Sequence, residues 1–283
     1  MVKIIFLTSF ALTAFAFNSI LCRMALGAGE ADGAGFTAVR LIAGAVTLAF
    51  IAALRRKTRN PAKGGTWASA FFLFAYAICF SFAYLGLTTA TGALVLFGCV
   101  QITMIGAGIY EGERPTALEW LGLAVAFGGL VYLVLPGLSA PPLGSSLLMA
   151  AAGVAWGFYT LRGRGSADPL ADTAGNFIRS VPMIAAAAIP FLGQINLSTR
   201  GIILAVLSGA VASGIGYSVW YAALKYHTST RAAVLQLAVP VLAAAGGIVF
   251  LSENADVRLL IAAALILGGI GLTIVGKRKV KQT

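Results

Sequence analysis

Charged residues are scarce in this sequence, and their scarcity excludes an ordinary soluble fold. Only 10% of the 283 residues are charged, whereas 59% are hydrophobic. A soluble domain has about a quarter charged residues and about half apolar ones. A soluble core built from 283 residues cannot hide so much apolar surface from water, so lipid must surround much of the chain. The composition therefore predicts an integral membrane protein.

Acidic residues are the rarer charged class, and their positions limit the chemistry. The nine Asp and Glu residues fall in connections or at the ends of apolar runs, and none lies mid-run. An exporter that exchanges cations for protons needs a buried carboxylate that pairs with the cation and releases a proton. The sequence therefore argues against cation exchange and offers no residue as a proton carrier.

The residues from which most active sites and metal sites are built are also few. The chain has one histidine, His227, and three cysteines, Cys22, Cys79 and Cys99, which lack CxxC or His neighbours. It contains no HExxH motif and no GxxxxGK[ST] motif, so neither zinc proteolysis nor ATP hydrolysis is expected. We predict no enzyme activity, no cofactor, no disulfide and no metal site.

Long apolar runs make up most of the chain instead. A transmembrane helix needs about 20 mostly apolar residues, whereas a β-barrel shows alternating segments of about ten. Ten helical spans are predicted, at 4–22, 35–54, 67–87, 91–110, 117–135, 143–162, 173–193, 201–224, 232–250 and 257–276. The 34 glycines fit such a bundle, because small residues let helices approach closely in lipid. The predicted fold class is all-α integral membrane, with ten transmembrane helices.

The basic residues predict an orientation rather than a nucleic-acid partner. Despite a net charge of +11, Lys and Arg concentrate in alternate connections, and the opposite loops hold Arg23, Arg200 and Arg258. Cytoplasmic loops carry such an excess, so both termini are expected in the cytoplasm, at a bacterial inner membrane. Lys3, an apolar run and Ala14-Phe15-Ala16 imitate a cleaved signal peptide. The internal repeat favours a retained first helix.

That repeat divides the chain into two halves. The matching pairs, at offsets of 139 or 140 residues, are Arg23 and Arg162, Arg40 and Arg179, Ala93 and Ala233, Glu113 and Glu253, and Gly128-Gly129 and Gly268-Gly269. Five helices per half is an odd number, so the second half must enter the membrane in the opposite sense. We predict inverted five-helix repeats at 1–138 and 139–283 around a central cavity, a common transporter plan.

Several motifs resemble a known family over essentially the whole chain. They are Phe36-Thr37-Ala38-Val39-Arg40, Gly112-Glu113-Arg114-Pro115, Ala222-Ala223-Leu224-Lys225-Tyr226 and Val239-Pro240-Val241. They resemble the drug/metabolite transporter superfamily, in its ten-helix EamA-type branch. The chain departs from that pattern at Phe17-Asn18 and Glu253-Asn254. The resemblance implies metabolite transport, commonly export, and is strongest to exporters of aromatic or hydrophobic amino acids.

Polar and aromatic side chains within the spans are the candidate substrate contacts. The set comprises Asn18, Tyr76, Phe80, Tyr84, Phe97, Gln101, Trp156, Tyr159, Tyr217, Tyr221 and Gln236. Buried amides and tyrosine hydroxyls need partners, which a cavity or a neighbouring helix can supply. Interhelical bonding stays open for the amides, slightly favoured for Asn18, and core packing stays open for each aromatic. As a group they predict a pocket for a neutral or zwitterionic solute with an apolar side chain.

Two other groups within or near the spans are expected to be structural. Arg40 and Arg179 lie near their helix starts, where a long side chain can snorkel or bond loop carbonyls. Contact with an anion, such as a substrate carboxylate, is the less favoured alternative for both. Trp67, Trp120 and Trp220 lie near span ends and are expected in an interfacial belt.

The predicted function is secondary export of a small metabolite by alternating access. Its partners would be a small-molecule substrate and the lipid bilayer, with no nucleic acid, and a single chain could form a complete monomeric unit. Another solute class, such as a purine, a sugar-like compound or a drug-like compound, remains an alternative. A channel is a weaker one, because no selectivity motif is evident.

Overall fold

The architecture is that of an all-α membrane protein, as predicted. The computed structural model describes residues 2–54, 64–110, 116–134, 140–227, 232, 235–236, 238–254 and 256–276. Within these ranges the chain is almost wholly helical, and its β-type pairing is an isolated bridge between Ala31 and Leu197. Gly112-Glu113-Arg114-Pro115, Ala233 and the 138/139 boundary lie outside the described residues.

The described helices follow the ten predicted spans in order. They are α1 Val2–Gly27, α2 Gly33–Leu54, α3 Trp67–Ala83, α4 Thr89–Tyr110, α5 Ala117–Val134, α6 Leu143–Gly163, α7 Pro169–Ala188, α8 Thr199–Leu224, α9 Ala238–Leu251 and α10 Val257–Gly276. By length and composition, α1, α2, α4, α6, α8 and α7 with its 3-10 extension Ile189–Gln194 could each cross a membrane. The remaining four, α3, α5, α9 and α10, contribute shorter apolar stretches.

The starts of α7 and α8 are set by capping side chains that hydropathy does not detect. Asp168 accepts a hydrogen bond from the Ala171 amide and precedes Pro169, so α7 starts four residues before the predicted span. Ser198 caps α8 in the same way, by accepting from the Gly201 amide. Such bonds satisfy backbone donors that the first helical turn leaves free.

Several contacts between helices occur in matching forms. Replacing each helix of a contact by the helix five positions away in the chain gives the same contact or another observed one. α5 packs on α10, α2 on α7 and α4 on α9. The α3–α6 contact corresponds to the α8–α1 contact, and the α4–α6 contact to the α9–α1 contact. Two related five-helix halves would pack in this way. The division at 1–138 and 139–283 and its inverted orientation stay predictions.

Glycine pairs at equivalent positions of α5 and α10 show which residue of each pair permits close contact. A Cβ added at Gly129 would lie 2.8 Å from the Leu265 Cβ atom, and one at Gly269 would lie 2.5 Å from the Ala126 nitrogen. A Cβ at Gly128 or Gly268 would meet nothing within 4 Å. The second glycine of each pair therefore allows the close α5–α10 packing.

Burial distinguishes the three tryptophans that were predicted to lie in an interfacial belt. Trp67 and Trp120 are 61% and 55% exposed, as expected of side chains at a membrane interface. Trp220 is fully buried, and its ring lies edge-on to Phe15 at 5.6 Å. The prediction for Trp220 is wrong, because α1 packs over that face of α8.

Candidate functional site

Arg40 of α2 lies at the centre of a buried polar cluster between α1, α2, α3 and α8. Its Nε atom donates to the Ser213 hydroxyl at 3.1 Å. Its Nη2 atom donates to the hydroxyls of Tyr76, at 3.2 Å, and Tyr217, at 2.9 Å. The guanidinium carbon also lies 5.0 Å from the ring centre of Phe80 and 5.1 Å from that of Tyr76. The Arg40 guanidinium therefore links α2 to α3 and α8.

The expectation that Arg40 snorkels or bonds loop carbonyls is wrong. Its side chain is 1% exposed and bonds side chains of α3 and α8. Arg179, its partner in the repeat, does behave as expected. It donates to the carbonyls of Gly64 and Gly175 and lies 6.0 Å from the Trp67 ring centre. Similar positions along two helices thus have different surroundings, because different helices face them.

Asn18 of α1 completes the polar cluster. Its Nδ2 atom donates to the hydroxyls of Tyr76 at 3.0 Å and Tyr217 at 3.3 Å. Its Oδ1 atom accepts from the Ser208 hydroxyl and, at 3.4 Å, from Ser213. Partners on α3 and α8 agree with the interhelical role considered for this amide. The same bonds leave the amide beside Arg40, within the candidate site.

A π-helical segment of α8, Ser208–Ile215, presents both serines to this cluster. Ser208 and Ser213 are five residues apart, which is the hydrogen-bond spacing of a π-helix and not of an α-helix. The wider turn brings both hydroxyls toward Asn18. Gly209 allows this approach, because a Cβ there would lie 2.0 Å from the Arg40 carbonyl oxygen. π-Helical turns inside α-helices occur frequently at functional sites.

Aromatic rings centred on Trp156 of α6 surround the polar cluster. The Trp156 ring centre lies 4.5 Å from that of Tyr217, 5.0 Å from Tyr76 and 5.3 Å from Phe15. Tyr159 is 5.5 Å from Trp156 and continues the set toward α8. Aromatic pairs in such tilted or edge-on arrangements each contribute about 0.5–1.5 kcal/mol beyond their buried area. The predicted α3, α6 and α8 aromatics therefore form one connected group.

Gln236 links this aromatic group to α4 and the segment before α9. Its Oε1 atom accepts a hydrogen bond of 3.1 Å from the Trp156 indole nitrogen. Its Nε2 atom donates to the Ala232 carbonyl at 3.4 Å and lies 4.0 Å from the Met104 sulfur. Phe97 and Gln101 are buried one turn apart on α4.

The remaining candidates, Tyr84 and Tyr221, lie at opposite edges of the group. Tyr84 packs 4.8 Å from Phe80, and its hydroxyl donates to the Thr89 carbonyl at 3.3 Å. Tyr221 packs 5.3 Å from Tyr159 and donates to the Tyr159 carbonyl at 3.0 Å. Both hydroxyls therefore bond backbone carbonyls.

An ionic cluster lies beyond Tyr84, where α1 and α4 meet the α9–α10 connection. Both carboxylate oxygens of Glu253 accept from the Thr89 amide at 2.9 Å. Arg23 lies 3.6 Å from the same carboxylate and donates to the Tyr84 carbonyl at 3.0 Å. α1 continues to Gly27, beyond the predicted end at residue 22, so Arg23 lies in the helix and not after it. We call Arg23, Tyr84, Thr89 and Glu253 the Arg23–Glu253 cluster.

Four members of the candidate site, Phe15, Arg40, Ser208 and Ser213, are absent from the set predicted from the sequence. For Arg40 a structural role was favoured over an anion contact. Ser208 and Ser213 carry no signal, because their shared face depends on the π-helical turn. Phe15 was detectable, since it lies three residues from Asn18 and therefore on the same helix face. Among the described residues, no group of three His, Cys, Asp or Glu side chains could hold a metal ion.

Known proteins resemble this chain in sequence and in fold. A family model described as the EamA-like transporter family matches residues 143–275. A protein of Pseudomonas aeruginosa, described as uncharacterized, is 50% identical over 272 residues, covering 96% of this chain and 94% of the relative. The threonine/homoserine exporter RhtA of Escherichia coli K12 is 29% identical over 186 residues, 62% of this chain and 61% of the exporter.

A more distant relative is described as a transporter, and a protein of known structure shares the fold. An Archaeoglobus fulgidus protein described as an uncharacterized transporter is 26% identical over 200 residues, 66% of this chain and 68% of the relative. A protein of known crystal structure superposes with a TM-score of 0.71 at 20% identity, covering 98% of this chain and 99% of that chain. With these relatives and the helical architecture together, the chain belongs to the EamA-like transporter family.

Proposed function

We propose that this chain is a secondary transporter that exports small neutral or zwitterionic metabolites, specifically aromatic or other hydrophobic amino acids. The observation that carries the proposal is the arrangement of the buried site. Rings of Trp156, Tyr76 and Tyr217 enclose one side of a polar cluster that contains Asn18 and Arg40. Such a site offers an apolar surface and hydrogen-bonding groups within a few ångströms of each other.

The two parts of the site match the two parts of such a solute. The neighbouring rings have their centres 4.5–5.5 Å from that of Trp156. An aromatic or aliphatic side chain of the solute could make similar contacts with these rings. Amides and hydroxyls of the polar cluster would bond the amino and carboxylate groups. The named activity of RhtA, export of threonine and homoserine, supports amino acids as the solute class. The aromatic rings around Trp156 favour a solute with a larger apolar side chain than threonine has.

The proposed mechanism is alternating access between the two halves. The site residues come from α1, α2 and α3 of the predicted first half and from α6 and α8 of the predicted second half. A transporter of inverted repeats binds its substrate between its halves. Trp156, Tyr217 and Arg40 are all buried, so a solute could enter only if the halves separate at one end. Contacts in the Arg23–Glu253 cluster would close the opposite end during that step.

We further propose a bacterial inner membrane location with both termini in the cytoplasm, because Lys and Arg concentrate in the connections on that side. One chain contains both five-helix halves, so a monomer would suffice as the transport unit. Because α1 would start in the cytoplasm and Arg23 lies near its other end, the Arg23–Glu253 cluster would then lie at the periplasmic end.

Counterflow in proteoliposomes tests the proposed function. Purified protein should exchange labelled L-phenylalanine, L-tryptophan or L-leucine against the same unlabelled amino acid. Trp156→Ala should lower the rate about tenfold or more, since it removes several ring contacts. Trp120→Ala, which changes an exposed tryptophan, is the matched control and should leave the rate unchanged. Exchange of purines, sugars or cations without any amino acid would refute the proposal.

A further inference from the structure

Arg40 has one hydrogen-bonding group that is without a partner among the described residues. Its Nε and Nη2 atoms donate to Ser213, Tyr76 and Tyr217. Its Nη1 atom is buried and donates to nothing in the part of the chain that the structure describes. Buried polar atoms in folded proteins nearly always have a partner, so an unused guanidinium nitrogen indicates a missing acceptor.

The same guanidinium also lacks a counter-ion among the described residues. The described ion pairs join Arg23 to Glu253 and Arg200 to Glu30, and neither involves Arg40. Within the described helices, acidic side chains occur only in the first turns of α5 and α7. The rings of Tyr76 and Phe80 offer partial compensation through their π-electrons. A buried cation without an anion is costly, so the cluster favours binding of one.

The neighbouring groups reinforce this preference. The Asn18 amide nitrogen and the Arg40 guanidinium both donate to the hydroxyls of Tyr76 and Tyr217. Hydrogen-bond donors therefore outnumber acceptors around Arg40. A carboxylate accepts several hydrogen bonds at once and bonds a guanidinium in a two-pronged geometry. A sugar hydroxyl or a purine ring would meet the donors without neutralising the charge.

We propose that Arg40 binds the carboxylate of the transported solute through Nη1, which restricts the substrates to carboxylates with an apolar side chain. This inference rests on the proposed function and makes it more specific. The carboxylate lies against Arg40, and the side chain lies among Trp156 and its neighbouring rings. Amines, purines and sugars of similar size are rejected because they leave the guanidinium unpaired.

Paired substrates on the wild-type protein give the first test. L-phenylalanine is compared with L-phenylalaninamide, which keeps the ring and amino group and loses the carboxylate. L-leucine and L-leucinamide form a second pair. Each amide should be exchanged about tenfold or more weakly than its acid, since a charge-assisted bond is lost. Equal exchange of acid and amide would overturn the role of Arg40 while leaving the proposed function intact. Exchange of neither acid would instead count against the proposed function.

Substitution at Arg40 gives the second test. Arg40→Gln should raise the KM for phenylalanine about tenfold or more and leave the weak exchange of the amide unchanged. Arg40→Lys should recover part of the preference for the acid. Arg179→Gln is the matched control, because any loss there should fall equally on acid and amide. Equal losses for acid and amide in Arg40→Gln would show a structural role and overturn the inference.

A binding measurement keeps the test decisive if Arg40→Gln does not fold. The thermal unfolding midpoint of the wild-type protein in detergent is then measured with phenylalanine and with phenylalaninamide. The acid should raise the midpoint and the amide should not, because a ligand stabilises the state that binds it. An equal shift with both compounds would contradict the inference.

Discussion

At the scale of single residues, Asn18 shows how a polar group is tolerated deep in an apolar bundle. Burying an amide is costly unless its donors and acceptors are satisfied. Here all of its bonds go to Tyr76, Tyr217, Ser208 and Ser213, which lie on two other helices. Asn18 therefore stabilises the packing of α1 against α3 and α8 and positions the tyrosine hydroxyls that bond Arg40.

Asn18→Ala should destabilise the protein and impair transport together. The substitution removes the acceptor for Ser208 and a donor for both tyrosines, so we expect a loss of about 1–3 kcal/mol in the free energy of unfolding. Thermal unfolding in detergent measures this loss. Asn196→Ala serves as control, since Asn196 is exposed and its side-chain bond is long, at 3.4 Å. An unchanged midpoint for Asn18→Ala would contradict the assigned role.

At the scale of helices, the Arg23–Glu253 cluster connects one end of α4 to α1 and the α9–α10 connection. Glu253 accepts from the Thr89 amide, the first residue of α4, where a helix N-terminus favours negative charge. Arg23 adds an ion pair whose side chains are 23% and 12% exposed. Solvent screens a pair of this exposure, so its contribution is about 1 kcal/mol or less.

Glu253→Gln should loosen this end of the bundle. The amide retains one acceptor for Thr89 but removes the charge that attracts Arg23 and the helix end. We expect Cys22, which is fully buried beside Arg23, to react up to about fivefold faster with a membrane-impermeant thiol reagent. The measurement uses a Cys79→Ala, Cys99→Ala background.

The control for this experiment is Glu30→Gln, which removes the other described ion pair, with Arg200. That variant should leave the reaction rate of Cys22 unchanged. Equal rates for Glu253→Gln and the unsubstituted background would show that the Arg23–Glu253 cluster does not close this end.

At the scale of the whole molecule, α5 and α10 pack together at a close contact. Gly269 faces the backbone of α5 at Ala126 and Gly122, whereas Gly268 faces open space. Backbone atoms cannot move aside as a flexible side chain can. The contact therefore depends on the absence of a side chain at one glycine and not at its neighbour.

Gly269→Ala and Gly268→Ala form a matched pair that tests this contact. Gly269→Ala should lower the free energy of unfolding by about 1–3 kcal/mol, because the added methyl group must displace a helix. Gly268→Ala should be neutral or stabilise by up to about 1 kcal/mol, as alanine favours helix. Thermal unfolding in detergent distinguishes them. Equal midpoints would show that the α5–α10 contact is not tight.

Membrane topology is a prediction for the entire chain. A C-terminal reporter that is active only in the cytoplasm should be active, because ten spans with a cytoplasmic start return the chain to that side. A reporter that requires the periplasm, fused at the same site, should be inactive. The reverse pattern would contradict the even number of spans.

The sequence by itself determined the helical class, the order of the spans and a candidate set that includes Asn18, Tyr76, Trp156, Tyr217 and Gln236. These features follow from composition and periodicity along the chain, which do not depend on distant residues. Helix ends were less predictable, as at α7, because caps such as Asp168 are polar and lie outside the apolar run.

Only the tertiary structure decided which charge occupies the site. Arg40 and Arg179 have equivalent positions in the predicted repeat, yet Arg40 bonds Tyr76 and Tyr217 whereas Arg179 bonds backbone carbonyls. Ser208 and Ser213 likewise reach Asn18 only because α8 widens into a π-helical turn. The physical reason is that the surroundings of a buried side chain are set by the helices packed against it, and those contacts join residues far apart in the chain.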